Sequence, residues 1–397
     1  MTHDALHAFT SHDSQWDAEW ASWLDAVGRF ARQALAPHCR HPERPLLPQV
    51  GRELMQGLTE QGVLNPSLEP AGGVWDDDQA ADQRRLSIEV LKILGTHSAG
   101  MACQVHMQAL AWRLDREAAL TPGDDIALVA LQGWLGMGRE GALASVEGHP
   151  LVVPWASDMA DNWGWPTASA PRLLHGLPDW RALWLPIWRA NDGWSWHRVP
   201  RSGLQVQAMP HSHGLDELTV QSVWLASAPA EQQEAAWPAL RGDRARELWA
   251  RLQAMHSAGL LAIAQAVTQA AWQRAREHAQ LRRQGGALII QHPAVQQLLS
   301  QAHQAVRESA QVLSFIGWAG TPWPDLPSRW RDRARCQPAL SAGTSAALQV
   351  FGGMGYMQDN GMEKALRDVN HLRLLGGSPA ELMRCVAQWE AQGEVAA

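Results

Sequence analysis

The sequence predicts an α+β fold that is mainly α. A helical N-terminal domain spans 1–140, a small, shortened antiparallel β domain spans 141–235, and a C-terminal four-helix-type bundle spans 236–397. Three observations carry this. Apolar residues recur at three and four between about residues 15 and 135, proline and glycine with short alternating runs take over to about residue 230, and the longest periodic stretch of the chain occupies about 243–283.

Trp20, Trp23, Leu24, Val27, Phe30 and Ala31 share one face of a first helix, which the turn around Ala36-Pro37-His38 is expected to end, because proline has no amide hydrogen to donate. A second helix covers about 50–61 and stops at Gly62; others run through 84–94 and 99–114. In the middle segment Leu204, Val206 and Ala208 alternate with Gln205 and Gln207, and Leu218 and Val220 alternate beyond a polar turn at 211–214. Trp184, Leu185 and Ile187 mark a more buried strand. In the last segment Leu248, Leu252, Met255, Leu260, Ile263, Val267 and Trp272 keep helical spacing up to Gly285-Gly286, which are expected to stop the helix. Pro293 opens a second bundle helix through Leu298, Leu299, Ala302 and Val306, and a third is expected to begin after Pro338.

Composition narrows the function classes. The 397 residues carry 33 Lys and Arg against 40 Asp and Glu, a net charge of −7, with no basic run to hold a phosphate backbone, which excludes nucleic acid as the expected partner. Cys39, Cys103, Cys336 and Cys385 stand far apart in no ligand spacing, so neither a metal site nor a disulfide framework is expected. The first residues lack a basic-then-apolar signal pattern, and the apolar runs fall far short of the roughly 20 residues that span a bilayer. A soluble, cytoplasmic protein is the expectation. Tryptophan is the outlier, with 22 against 4 Phe and 1 Tyr, and its size suits cores and interfaces.

No GxGxxG follows a predicted strand and no Walker loop occurs. Gly352-Gly353-Met354-Gly355 lies between two helices and on spacing alone reads as a helix break. With its neighbours, however, the stretch from Ala347 through Gln349, Gly352, Gly353 and Gly355 to Tyr356, followed by Arg367-Asp368 and Gly377-Ser378, closely resembles the C-terminal signature of the flavin-dependent acyl-CoA dehydrogenases. Arg282 to Gly286 and Gln291-His292-Pro293-Ala294-Val295 resemble that family's R-x-x-F-G and x-H-Q-A-V segments. More loosely, Phe30-Ala31, Ala36-Pro37, Gly62-Val63 and Pro70 to Gly73 are similar to its first helical domain, and the α, β, α order is its architecture.

The resemblance implies FAD as cofactor, an acyl-CoA thioester as substrate, an electron-transfer flavoprotein as redox partner, and a homo- or hetero-oligomer formed through the bundle. It implies a carboxylate that takes the proton α to the thioester while a hydride leaves the β-carbon, a base within hydrogen-bond reach of that proton being required. Here the sequence departs from the pattern. Leu375-Gly376-Gly377-Ser378 stands where the family has Y-E-G-T, so Gly376 replaces the glutamate. Members that carry the glutamate on the long helix place it 26 residues before the arginine, and here that residue is His256, the one ionisable group at either place and the candidate catalytic base. As a plain helix residue, His256 is a packed core histidine.

For the cofactor, the resemblance assigns Arg282, Gln349 and Gly353 to a flavin shared with a neighbouring chain, a guanidinium fork suiting a pyrophosphate. Gly285 stands where the family's Phe would stack. Ser378 keeps a hydroxyl that contacts the flavin, and Ser157, in Val153 to Asp158, is what remains of the T-E-P-x-A-G-S-D loop. The W-I-T segment corresponds either to Trp165-Pro166-Thr167 or, with Leu173 to Gly176 as the preceding strand, to Leu177 to Arg181; the CoA-contacting arginine falls at Gln388. Retained lent residues beside an eroded own site imply a subunit of a heteromeric acyl-CoA dehydrogenase, introducing an α,β double bond, that completes a partner's flavin site. The alternatives are a self-sufficient flavoenzyme, with His256 as base or with monooxygenase or oxidase chemistry, and a non-catalytic scaffold. His211-Ser212-His213 lacks a third metal ligand, and Asp76-Asp77-Asp78 reads as a helix cap or a solvated run rather than a cation site.

Overall fold

The computed structural model describes residues 18–39, 45–64, 73–120, 127–129, 144–146, 149–151, 165–169, 171–189, 193–209, 213–318, 320 and 322–395. α1 (Ala18–Phe30) does not end at Pro37. It passes through one π-helical turn, Ala31–Leu35, into α2 (Ala36–Cys39). The wide turn, in which the Ala36 amide bonds the Ala31 carbonyl, adjusts the ladder just ahead of the residue that has no amide hydrogen. α3 (Pro48–Glu60) starts on proline and turns off at Gly62, whose φ of 74° is a left-handed conformation glycine adopts without strain. α4 (Ala81–His97) and α5 (Ala99–Glu117) meet at Ser98, whose Oγ accepts the Met101 amide at 3.1 Å and caps α5.

The sheet begins before residue 140 and ends after 235. β1 (Ala127–Val129) pairs parallel to β5 (Ala182–Arg189), which continues through β6 (Gly193–Pro200) to β9 (Ala239–Arg241), giving the order β1-β5-β6-β9. β2 (Ala144–Val146) and β3 (His149–Leu151) form a separate pair. A second, antiparallel sheet has the order β4-β8-β7, from β4 (Arg172–Gly176), β7 (Gln205–Ala208) and β8 (Thr219–Trp224). The alternation read at 204–208 and 218–220 thus belongs to paired strands, with Val206 opposite Val223.

After the short α6 (Glu231–Ala235), α7 (Gly242–Leu281) runs for 40 residues and packs on α4 and α5 on one side and on α8 (Pro293–Ile316) and α9 (Leu326–Val350) on the other. It is the spine shared by the N-terminal helices and the bundle. It ends at Leu281, ahead of the glycines, because Gly285 and Gly286 (φ 59° and 83°) instead make the turn of a hairpin between β10 (Arg283–Gln284) and β11 (Ala287–Leu288). α9 also departs from expectation: it starts at Leu326, capped by Asp325 on the Ser328 amide, and Pro338 lies inside it on the exposed face. α10 (Met362–Leu372) and α11 (Pro379–Val395) complete the bundle.

Tryptophan supplies much of the core. Trp75, Trp180, Trp184, Trp196, Trp249 and Trp330 are among the largest fully buried side chains, and truncating such a residue costs about 3–5 kcal/mol. Among the described residues no helix is long and apolar enough to cross a membrane, and no cluster of His, Cys, Asp or Glu could hold a metal.

Candidate active site

α7 places His256 on the face that meets α5 and the turn joining α10 to α11, and its side chain is fully buried. The turn contains Gly376 and Gly377 with φ of 64° and 110°. A Cβ built on Gly376 would lie 2.7 Å from His256 Cδ2 and 2.8 Å from its Nε2, closer than atoms pack. The two positions from which relatives are expected to present a carboxylate therefore meet in space, and the imidazole occupies the room a side chain at 376 would need.

A directed chain of hydrogen bonds runs into this point. Trp75 Nε1 donates to His106 Nδ1 at 2.8 Å, and His106 Nε2 lies 3.2 Å from His256 Nδ1, with the two imidazole planes 2° apart. An indole N–H can only donate, so His106 Nδ1 is the bare nitrogen and the proton sits on Nε2, which donates onward. His256 Nδ1 is then the acceptor, and its proton sits on Nε2. That Nε2 is buried without a partner. Burial holds His106 down at about 3 and, with His106 and Arg333 nearby, holds His256 well below its ordinary value, so both rings are neutral at pH 7. Gly259 makes the approach possible: a Cβ there would fall 2.6 Å from His106 Nδ1.

Arg333, from α9, lies under the same turn. Its guanidinium donates to the carbonyls of Gly376 (3.3 Å), Leu372 (3.2 Å) and Leu375, the last two at the open C-terminal end of α10. Burial lowers Arg333 to about 9, which leaves it charged at pH 7, and no carboxylate pairs with it among the described residues. Further unpartnered groups line the seam: Trp249 Nε1 and Gln253 Nε2 at helical spacing from His256, and Trp330 Nε1 and both ends of the Gln337 amide at helical spacing from Arg333.

The residues assigned to FAD lie at the far end of the bundle. Arg282 follows the last turn of α7, Gln349 closes α9, and Gly353 lies in the 3-10 turn Gly352–Tyr356. His278 stacks on Phe351 with ring centroids 4.4 Å apart, which brings the two helix ends together. All three residues are exposed, Gln349 donates to the Tyr356 hydroxyl, and a Cβ on Gly352 or Gly353 would meet nothing within 4 Å. Leu281, Met354, Tyr356 and Met357 are exposed beside them. Ser378 is elsewhere, at the N-terminus of α11. Its amide donates to Glu381 Oε2 at 2.7 Å and its Oγ accepts the Glu381 amide at 3.4 Å, a capping box. Ser157 lies outside the described residues. Of the two W-I-T correspondences, Trp165-Pro166-Thr167 packs Trp165 against His197 and Trp237, and Leu173 to Gly176 form part of β4.

The Arg367-Asp368 pair of the signature docks the β domain onto α10. Arg367 binds Asp216 at 2.7 Å and Glu363 at 2.6 Å, and Asp368 accepts the Leu215 amide at 2.7 Å and pairs with Lys364 at 2.6 Å. Lys364 also reaches Glu217 at 3.1 Å; burial opposes its charge, but Asp368 and Glu217 outweigh that and hold its pKa above the usual lysine value. The acidic run is not solvated as expected. Asp77 caps the Gln79 amide at 3.0 Å, whereas Asp78 is fully buried on Arg251 and Trp323 and Asp76 pairs with Arg116, because α5 and α7 bring these arginines to it. Of His211-Ser212-His213 only His213 is described, and it is exposed.

Sequence reasoning missed Trp75, His106 and Arg333. His106 carried a weak signal as a lone imidazole in the apolar run of α5, while Arg333 stands among several arginines on one helix and becomes distinct only through the tertiary contact.

Residues 249–390 match the acyl-CoA dehydrogenase C-terminal domain family. A 3-sulfinopropanoyl-CoA desulfinase of Paraburkholderia xenovorans (strain LB400) is 21% identical over 379 residues, covering 90% of this chain and 91% of the relative. The matches to two further proteins of that name run over only about a third of their length. Butyryl-CoA dehydrogenase of Megasphaera elsdenii superposes with a TM-score of 0.67 at 15% identity over 94% of this chain and 98% of its own. PigA with FAD and proline superposes with 0.71 at 13% identity over 95% and 99%. From the helical order, the small sheets and the 249–390 match together, the chain has the acyl-CoA dehydrogenase fold, and its C-terminal bundle belongs to the acyl-CoA dehydrogenase family.

Proposed function

We propose that this protein is a subunit of an oligomeric, FAD-dependent assembly of acyl-CoA dehydrogenase type, in which it completes a flavin site shared with a related chain and the partner supplies the carboxylate that abstracts the α-proton. One observation carries this reading. Gly376 and His256 fill the place of the base with an imidazole pressed against a glycine, and that imidazole turns a proton rather than a lone pair toward the turn.

The residues at the bundle end fit a flavin. Arg282 offers an exposed fork for a pyrophosphate, Gln349 an exposed amide, and Gly352-Gly353 a backbone with no Cβ to hold a ligand away. Bound there, FAD supplies the hydride acceptor for the substrate's β-carbon. This chain's part is to hold and orient it, with Leu281, Met354 and Met357 excluding water once a second chain covers them. The electron acceptor of such an assembly is an electron-transfer flavoprotein, and its substrate is an acyl-CoA thioester. The purified chain alone should show little flavin absorbance, and co-expression with a related chain that keeps the glutamate should give a yellow, active complex. A fully flavinated, active homo-oligomer overturns the proposal and favours the second reading, a self-sufficient flavoenzyme with His256 at its centre.

A further inference from the structure

A cavity of about 420 Å³ opens where α4 ends and α10 begins, against the flank of α7 that carries Val267, Ala270 and Ala271. No residue of the His256 turn or of the Arg282 end lines it. Its mouth is exposed at Thr96, Arg274 and Asp359, and its floor is buried at Ser98, Lys364 and Asp368. From Gly361 at the mouth to Asp368 at the floor α10 rises about 10 Å, the depth of a small molecule.

The floor is an ion cluster that does not balance. Lys364 Nζ donates to Asp368 Oδ2 at 2.6 Å and to the two Glu217 oxygens at 3.1 and 3.3 Å. One ammonium thus answers two buried carboxylates and spends its three protons on them, which leaves the cluster one negative charge in excess. Burial raises Asp368 even against the Lys364 charge, and Glu217 adds to the rise. Neighbouring charges do not correct the deficit. Arg367 serves Asp216 and Glu363, and at the mouth Arg274 and Asp359 oppose each other. The last turn of α4 adds acceptors, since the final carbonyls of a helix have no partner within it and carry partial negative charge, and Gly95 and Thr96 of that turn line the cavity. Among the helix starts, α5 is already capped by Ser98, and α10 brings its first amides to the mouth rather than the floor. The wall formed by α7 is apolar and leaves room, because the chain has only alanine at 270 and 271.

We propose that this cavity binds a small organic ammonium ion, with its nitrogen at the Asp368 carboxylate and the α4 carbonyls and its apolar stem along Ala270 and Ala271. The same floor joins the three domains: the Leu46 amide donates to the Glu217 carbonyl at 3.0 Å, and Ser98 Oγ donates to Glu217 Oε1 at 2.8 Å. A cation seated there balances the buried charge and so tightens the docking of the β domain on the helices. The inference is independent of the shared flavin and of the role of His256.

The test is calorimetric titration of the intact protein, in whatever complex it forms, with butylamine, butanol and butanoate in an amine-free buffer. Butylamine should bind about ten-fold more tightly than either of the others and should raise the thermal midpoint. Ala270→Leu fills the apolar wall without touching the ion cluster, and it should abolish both the binding and the shift. Asp368→Asn removes the excess charge while Lys364 keeps Glu217, and it should bring butylamine down to the level of butanol. If Asp368→Asn fails to fold, Ala270→Leu still decides the matter. Equal affinity for the three probes, no binding of butylamine, or binding that survives Ala270→Leu overturns the proposal. Displacement of butylamine by an equal concentration of potassium marks a bare-cation site and overturns it too. The flavin content of the complex bears only on the shared-cofactor reading.

Discussion

The centre of α7 and its C-terminal end differ in how far they keep the family pattern, and the difference follows burial. At the centre, His256, Gly376, Gly259, His106 and Arg333 are packed so closely that each dictates its neighbour: glycine at 259 admits one imidazole and glycine at 376 admits the other. A change at one position there requires changes at the rest. At the end, Arg282, Gln349 and Gly353 are exposed, and a Cβ on Gly353 would meet nothing within 4 Å, so close packing does not couple them. Departures from the family signature are collective where the protein is dense, whereas the signature residues at the exposed end are free of one another.

This contrast can be broken experimentally. The largest effect is expected from the docking network, a buried control with no part in the contrast itself. Lys364→Met leaves Glu217 and Asp368 as uncompensated buried acids and should cost about 3–5 kcal/mol in urea unfolding. Next is Gly376→Glu, which places the family's base but meets the His256 ring and a φ of 64°. It should destabilise by about 2–4 kcal/mol from overpacking and backbone strain. Adding His256→Ala should recover a measurable part of that loss, giving a coupling between the two positions; additive losses would mean they do not share space.

Acid should act more strongly on the centre, where two imidazoles are fully buried, than on the end, where partial burial and Arg282 lower His278. His106 and His256 have folded pKa values depressed below 6.5, so the unfolded chain binds more protons once pH falls through the unfolded value near 6.5. For His106 the stabilisation is complete above that pH and declines toward about pH 3, by about 1.4 kcal/mol per pH unit, and His256 adds a loss in the same direction. Thermal melts between pH 7 and 5 should show the slope, and His106→Phe should reduce it by about one proton. The smallest stability effects belong to Arg282→Ala and Gln349→Ala, within about 0.5 kcal/mol, as exposed substitutions generally are. The same variants should strip flavin from the complex, read as loss of yellow absorbance. A large loss of stability in either would erase the distinction between the two regions.

What was legible in the sequence follows the same physics. The helical order and the approach of His256 to the turn at Gly376 were readable because they depend on spacing within one helix and on a contiguous motif. β1 was not, since its three residues become a strand only through parallel pairing with β5, far along the chain. The start of α9 was misplaced because Pro338 normally opens a helix, whereas here it sits on the exposed face of one already begun at Leu326. Asp78 read as solvated because its partner Arg251 is 173 residues away. Ser378 kept the family's hydroxyl, yet the Ser-x-x-Glu spacing with Glu381 already described the cap it forms.

The central claim is that neither Gly376 nor the donor-oriented His256 can remove an α-proton. The direct measurement is deuterium exchange at the α-carbon of butanoyl-CoA in heavy water, followed by mass spectrometry, with the isolated chain saturated with FAD. The account predicts exchange no faster than in buffer, and the appearance of exchange only when the carboxylate-bearing partner is added. Enzyme-dependent exchange by the isolated chain, lost in His256→Gln, would contradict it and make the imidazole a base.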